Sequence, residues 1–184
     1  SMHRVFVALR PPRPIRERLL GRAGGVPGAR WQDDAQLHVT LRFIGEVGAH
    51  QAEDIAAALG SVHHAPLELR LDGCGMFDKR GKPNALWVGV SPRDSLAALH
   101  RKVDQAIVRT GLEPERRAYL PHITLAGLSG PAGPIDRWLA EHAALASEPF
   151  AIDAMILYES RLGHGGASYE PIARYPLTGS QDHP

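Results

Sequence analysis

Leu37-His38-Val39-Thr40-Leu41-Arg42-Phe43-Ile44-Gly45-Glu46-Val47 is the stretch on which the fold turns. Apolar residues alternate with other types through it, the pattern of a strand with one buried face. The alternation sends Leu37, Val39, Leu41 and Phe43 towards a core, and His38, Thr40 and Arg42 to the opposite face. The pattern returns far along the chain in Leu120-Pro121-His122-Ile123-Thr124-Leu125-Ala126-Gly127-Leu128. There Pro121, Ile123 and Leu125 face inward, and His122 and Thr124 share the other side. Side chains two apart on a strand lie on one face, about 6–7 Å apart. Each His-x-Thr therefore offers one imidazole and one hydroxyl to the same space. A single copy says little, because a lone strand histidine is more often structural than catalytic. The repeat, one copy in each half of the chain, carries the argument.

An imidazole titrates near pH 6.5, so at neutral pH one histidine can serve as base and the other as acid. Flanking a phosphodiester, one would take a proton from the attacking water or hydroxyl and the other would protonate the departing oxygen. The threonine hydroxyls would donate to the non-bridging oxygens. This arrangement calls for no metal. The sequence does not say which histidine takes which role.

Working outward, residues 3–9 read as a first strand. Pro11, Pro12 and Pro14 lead into a helix carrying Ile15, Leu19 and Leu20, since proline suits a helix start. The glycine-rich run 24–28 ends it. The first motif strand is expected to stop at Gly45, followed by an alanine-rich helix over 51–59. Strands over 67–71 and 85–90 flank a polar turn at 78–83. Pro92 opens a helix with Leu96, Leu99, Val103, Ala106 and Ile107 as its apolar stripe. After the second motif come a Gly/Pro loop, a helix around Trp138, Leu139 and Leu145, and strands over 150–158 and 169–177. Short links between neighbouring strands favour antiparallel pairing and an α+β assembly. Residues 1–184 are expected to form one domain of two intimate lobes, with 179–184 a flexible tail and Ser1 a cloning remnant.

A chain of 184 residues can bury a substantial core. Its 21 Lys and Arg against 20 Asp and Glu leave a net charge of +1. Proteins that coat a nucleic-acid backbone carry a basic excess, so this balance favours recognition of a terminus or a small nucleotide. A local basic rim of Arg42, Lys79, Arg80 and Lys82 is compatible with that. The one cysteine, Cys74, excludes an internal disulfide, fits a reducing compartment, and reads as packing. No run is long and apolar enough to span a membrane, so a soluble, cytoplasmic, monomeric protein is expected. The ten histidines include the pair His63-His64, which has no cysteine or carboxylate at ligand spacing, so no metal is assigned. Phe77, Trp87 and Tyr169 are the aromatics placed to stack on a terminal base. Trp31, Trp138 and Phe150 read as packing.

The two motifs, with RVFVALRPP near the start, ALWVGV after GCGMF, and ILYESRLGHGGASYEPIARYPL near the end, resemble the 2H phosphoesterases. Within that family the chain is similar to the RNA 2′,3′-cyclic phosphodiesterases, historically called 2′-5′ RNA ligases. The resemblance implies a bilobal α+β fold with pseudo-twofold symmetry, one motif per lobe and a central cleft. It also implies hydrolysis of 2′,3′-cyclic phosphate ends of RNA or oligonucleotides to 2′-phosphates, without cofactor or metal. His38 and His122 would be catalytic, and Thr40, Thr124, Arg42, Phe77 and Tyr169 would contact substrate. The family's second motif often continues to an arginine, where this chain has Gly127. Arg42 or another basic residue would then have to supply the positive charge. Ligation of tRNA halves, hydrolysis of small cyclic nucleotides, and RNA-end binding without catalysis stay open as alternatives.

Overall fold

The protein is described here by a computed structural model covering residues 1–130 and 132–179, so positions 180–184 of the expected tail lie outside the described residues. The strands are β1 (Met2–Leu9), β2 (Arg30–Trp31), β3 (Val39–Gly48), β4 (Leu67–Lys79), β5 (Lys82–Ser91), β6 (His122–Gly127), β7 (Phe150–Ile152), β8 (Ala154–Gly163) and β9 (Gly166–Pro176). Between them lie α1 (Arg13–Leu20), α2 (Ala49–Leu59), α3 (Arg93–Val108) and α4 (Asp136–His142), with a 3-10 turn at Asp34–Gln36.

The strands form one antiparallel sheet in the order β7-β4-β5-β6-β3-β1-β8-β9, with β2 paired to β6. The two motif strands are neighbours at its centre. They touch at the pair Val39 and Ile123, the residue after the histidine in each motif. From that pair outward the two halves repeat, as β3-β1-β8-β9 on one side and β6-β5-β4-β7 on the other. The fold is α+β and bilobal, with an approximate twofold axis through the motif junction.

One face of the sheet builds the main core. Val5, Val7 and Leu9 of β1, Leu157 of β8 and Val88 of β5 are fully buried there, as are Leu96, Leu99, Val103 and Ile107 of α3. Each buried aliphatic side chain stabilises the fold by about 1.5–3 kcal/mol relative to exposure. The other face of the sheet bears the motif histidines.

Both motif strands carry a bulge just past the threonine. In β3 the pairing with β1 steps from Ala8–Thr40 to Val7–Arg42, leaving Leu41 as an extra residue. In β6 the pairing with β5 steps from Trp87–Thr124 to Leu86–Ala126, leaving Leu125 extra. An extra residue inverts the alternation beyond it. This corrects two expectations. Phe43 is 44% exposed rather than in the core, and Arg42 is buried at 6% rather than on the histidine face. The strand also runs past Gly45, which takes a φ of 96° at a second register shift, and ends at Gly48. The expected strand over 150–158 divides at Asp153, so that β7 pairs with β4 while β8 crosses to β1.

Candidate active site

The first histidine is set by the turn before it. Asp33 and Gln36 cap the 3-10 turn reciprocally, each side chain bonding the other's backbone N–H at 3.0 Å. Arg10 donates to the carbonyls of Asp34 and Leu37 at 2.7 Å each, and Arg16 bonds the Asp34 carboxylate at 2.8 Å. The Gln36 carbonyl, fixed by this frame, lies 2.8 Å from Nδ1 of His38. A carbonyl only accepts, so Nδ1 carries the proton and Nε2 is the free base. The Thr40 hydroxyl, 2.9 Å away, donates to that Nε2. The second lobe repeats the device, with Nδ1 of His122 donating to the Leu120 carbonyl at 2.7 Å. In both lobes the acceptor is the carbonyl two residues before the histidine.

Each imidazole also meets an aromatic ring edge-on. Tyr169 stands at 87° to His38 with centroids 5.2 Å apart, and Phe77 at 87° to His122 at 4.8 Å. Phe6 adds a third ring 5.0 Å from His38. These walls leave both imidazoles half-buried. Burial pulls the pKa of His38 from 6.5 to about 4; the Gln36 carbonyl opposes the shift, while the charges of His122 and Arg10 add to it. Burial lowers His122 as well, against the pull of the Leu120 carbonyl. Both imidazoles are therefore neutral at pH 7, and a proton on one disfavours a second on the other.

Two cavities meet at Thr40 and Phe43. The larger, about 720 Å³, is bounded by His122, Phe77, Tyr119, Lys79 and Arg117. The smaller, about 310 Å³, is bounded by His38, Phe6, Tyr169 and Arg4. Thr40 thus stands between the two histidine compartments. It is held from behind by Tyr119, whose hydroxyl donates to the Thr40 carbonyl at 2.9 Å. Tyr119 in turn stacks on His100 at 4.3 Å, and Nδ1 of His100 donates to the Leu41 carbonyl at 2.7 Å.

The structure thus brings together His38, His122, Thr40, Phe77 and Tyr169. Thr124 lies on the strand face of His122, paired against Trp87, but borders neither cavity. Arg42 is turned away. Its guanidinium bonds Asp104 at 2.7 Å and the carbonyls of Phe43 and Glu113 at 2.7 and 2.6 Å. The Leu41 bulge is the cause, because it rotates Arg42 towards α3. Trp87 lies against the floor, with Gly75 beneath its ring and its indole Nε1 buried without a partner among the described residues. The sequence reading missed Phe6, Phe43, Tyr119 and Arg10. Only Phe6 had left a signal, as a large apolar residue out of phase with Val5, Val7 and Leu9. Burial raises the Cys74 thiol to about 11, in keeping with packing. Among the described residues no group of three or more His, Cys, Asp or Glu is placed to hold a metal ion, and no helix is long and apolar enough to cross a membrane.

Two histidines, each with Nδ1 held by the carbonyl two residues before it, stand on neighbouring strands from the two halves of one antiparallel sheet. The family profile described as the 2′-5′ RNA ligase superfamily matches residues 11–164, and the chain belongs to that family. An RNA 2′,3′-cyclic phosphodiesterase of Geobacillus stearothermophilus is 30% identical over 162 residues, which are 87% of this chain and 51% of that protein. The chain thus spans about half the length of that relative. An RNA 2′,3′-cyclic phosphodiesterase of Escherichia coli is 28% identical over 183 residues, 95% of this chain and 97% of that one. The crystal structure of E. coli LigT complexed with 3′-AMP superimposes with a TM-score of 0.77 at 25% identity, over 97% of this chain and 100% of that one.

Proposed function

We propose that this protein hydrolyses RNA or oligonucleotide 2′,3′-cyclic phosphate ends to 2′-phosphates by metal-free acid–base catalysis. The observation that carries this reading is the matched pair of imidazoles, each with Nδ1 committed to a backbone carbonyl, which makes Nε2 the nitrogen that exchanges a proton, in His38 in place of its bond from Thr40. One Nε2 takes the proton of a water attacking phosphorus. The P–O3′ bond breaks, the other imidazolium protonates O3′, and phosphate remains on O2′. The acid is whichever histidine faces O3′. Thr40, once its hydroxyl turns from Nε2 of His38 to the substrate, and Thr124 donate to the non-bridging oxygens, and Tyr169 and Phe77, one in each cavity, are the rings available to a terminal base. Both motifs come from one chain, so a monomer suffices. The names of the relatives support the substrate class.

The test is turnover of a short RNA ending in a 2′,3′-cyclic phosphate, in EDTA, scored by product. A 2′-phosphate product is expected, with rates about 10²–10⁴-fold lower in His38→Ala and in His122→Ala. Near-normal turnover by either variant, or loss of activity in EDTA, would refute the mechanism. The second cavity supports a further reading, in which a 5′-hydroxyl end replaces water and the reaction runs towards ligation; joined product from RNA halves would show it.

A further inference from the structure

The position where β6 could have carried a side chain into the cleft is Gly127, and another residue fills its space. Beyond the Leu125 bulge, Ala126 turns to the core at 0% exposure, and Gly127 turns to the side of the histidines. Its cross-strand partners continue that side. Phe77 pairs with Ala85, Ala85 with Gly127, and Gly127 with Arg30 of β2. Phe77 and Ala85 both border the larger cavity. The next residue of β2, Trp31, pairs with Ala126 and packs 5.7 Å from Trp138 on the core side, so Arg30 must lie on the cleft side. Its side chain reaches back across the strand. A Cβ on Gly127 would sit 2.6 Å from Nη2 of Arg30, and only 3.3 Å from its Cζ. Nη1 donates to the Ser129 hydroxyl, which anchors the group, while among the described residues the Arg30 side chain has no ion pair and no other hydrogen-bond partner. The sheet thus ends in an exposed, anchored guanidinium with one edge unengaged.

Gly127 is the next position after Thr124 on the histidine side of the sheet, about 7 Å further along the strand, as the step from Trp87 to Ala85 in the partner strand sets it. That is close to the step between successive phosphates of an extended nucleic-acid strand. We infer that Arg30 binds the phosphodiester one nucleotide upstream of the cyclic end, an assignment that rests on the phosphodiesterase reading above. Glycine at 127 is what permits it, because any side chain there would displace the guanidinium. Arginine suits the role, since its planar fork engages phosphate with two parallel hydrogen bonds. Arg30 is thereby a specificity residue, favouring RNA ends over single cyclic nucleotides.

The experiment is equilibrium binding, which does not depend on turnover. The wild-type protein, Arg30→Ala and Gly127→Ala are titrated with a fluorescent RNA pentamer ending in a 2′-phosphate and, by calorimetry, with a nucleoside 2′-phosphate. Arg30→Ala should weaken the pentamer about tenfold and leave the mononucleotide unchanged, with Gly127→Ala shifting in the same direction. Unchanged pentamer affinity in Arg30→Ala would overturn the assignment. Equal loss for both ligands would overturn it too, because the guanidinium would then be reading the terminal phosphate. Failure of the phosphodiesterase reading is seen separately, as absence of turnover by a wild-type protein that still binds the pentamer.

Discussion

At the scale of single residues, the partial burial of the two imidazoles decides how activity must depend on pH. A cyclic phosphodiester is a monoanion throughout the useful range, so the profile of kcat/KM reports the free enzyme. In the proposed mechanism the productive form holds one proton on the histidine pair. Burial lowers both imidazoles from 6.5, His38 to about 4, so at pH 7–8 most molecules hold no proton at all. As the pH falls the singly protonated form grows, and it declines only when the second proton adds. The expected result is a kcat/KM that rises from pH 8 downward and peaks below pH 6.5. A flat profile, or one with an alkaline optimum, would contradict the burial argument. The same shift has a sign for stability. A folded-state pKa below the unfolded one means that stability from His38 is present above pH 6.5 and is lost as the pH falls towards 4. The histidines and threonines were legible in the sequence because their relation is local, two residues apart on one strand. Their pKa values were not, because Phe6, Tyr169 and Phe77 reach them from other strands.

At the scale of elements, the bulges separate what the alternation could tell from what it could not. Pattern reading was right through Leu41 in β3 and Leu125 in β6, and reversed from Arg42 onward in β3. Nothing in Leu41-Arg42-Phe43 marks an extra residue, since the bulge is a property of the pairing with β1. The two-residue β2 was invisible for a similar reason: a strand that short exists only through its partner, β6. Arg30 was therefore missed, and Arg42 was given a role that its place against Asp104 does not allow. The pairing of β4 with β5 makes a testable demand of its own. Gly75 faces Trp87 across these strands, and a Cβ there would fall 2.4 Å from the indole ring. The ring lies 5.4 Å from Phe77 and 6.4 Å from His122, so it cannot move without disturbing both. Gly75→Ala should cost about 1–3 kcal/mol of stability and also lower kcat/KM, read by urea unfolding and by turnover of the cyclic-phosphate RNA. Full activity with unchanged stability would show that the indole floor is softer than its packing implies.

At the scale of the whole molecule, the near balance of charge and the central placing of the motifs point the same way. The axis through Val39 and Ile123 puts both histidines at the middle of the sheet, and a net charge of +1 leaves little long-range attraction for a polyanion. The cations beside the larger cavity are few, Lys79 and Arg117, with Asp78 and Glu115 interspersed among them. Such a surface can grip the end of an RNA but cannot track along it. Single-strand binding weakens with salt by about 0.7 per phosphate neutralised on a logarithmic scale. Contacts confined to the cyclic phosphate and one upstream phosphate predict a slope of about −1 to −2 for the logarithm of 1/KM against that of salt. They also predict a KM that falls from mononucleotide to dinucleotide and then stays level as the RNA lengthens. Both follow from steady-state kinetics on cyclic-phosphate RNAs of graded length across a salt series. A slope of −4 or steeper, or a KM that keeps falling beyond a few nucleotides, would mean an extended RNA path over the surface. The charge balance would then have misled, and cations beyond the cleft would have to carry the contacts.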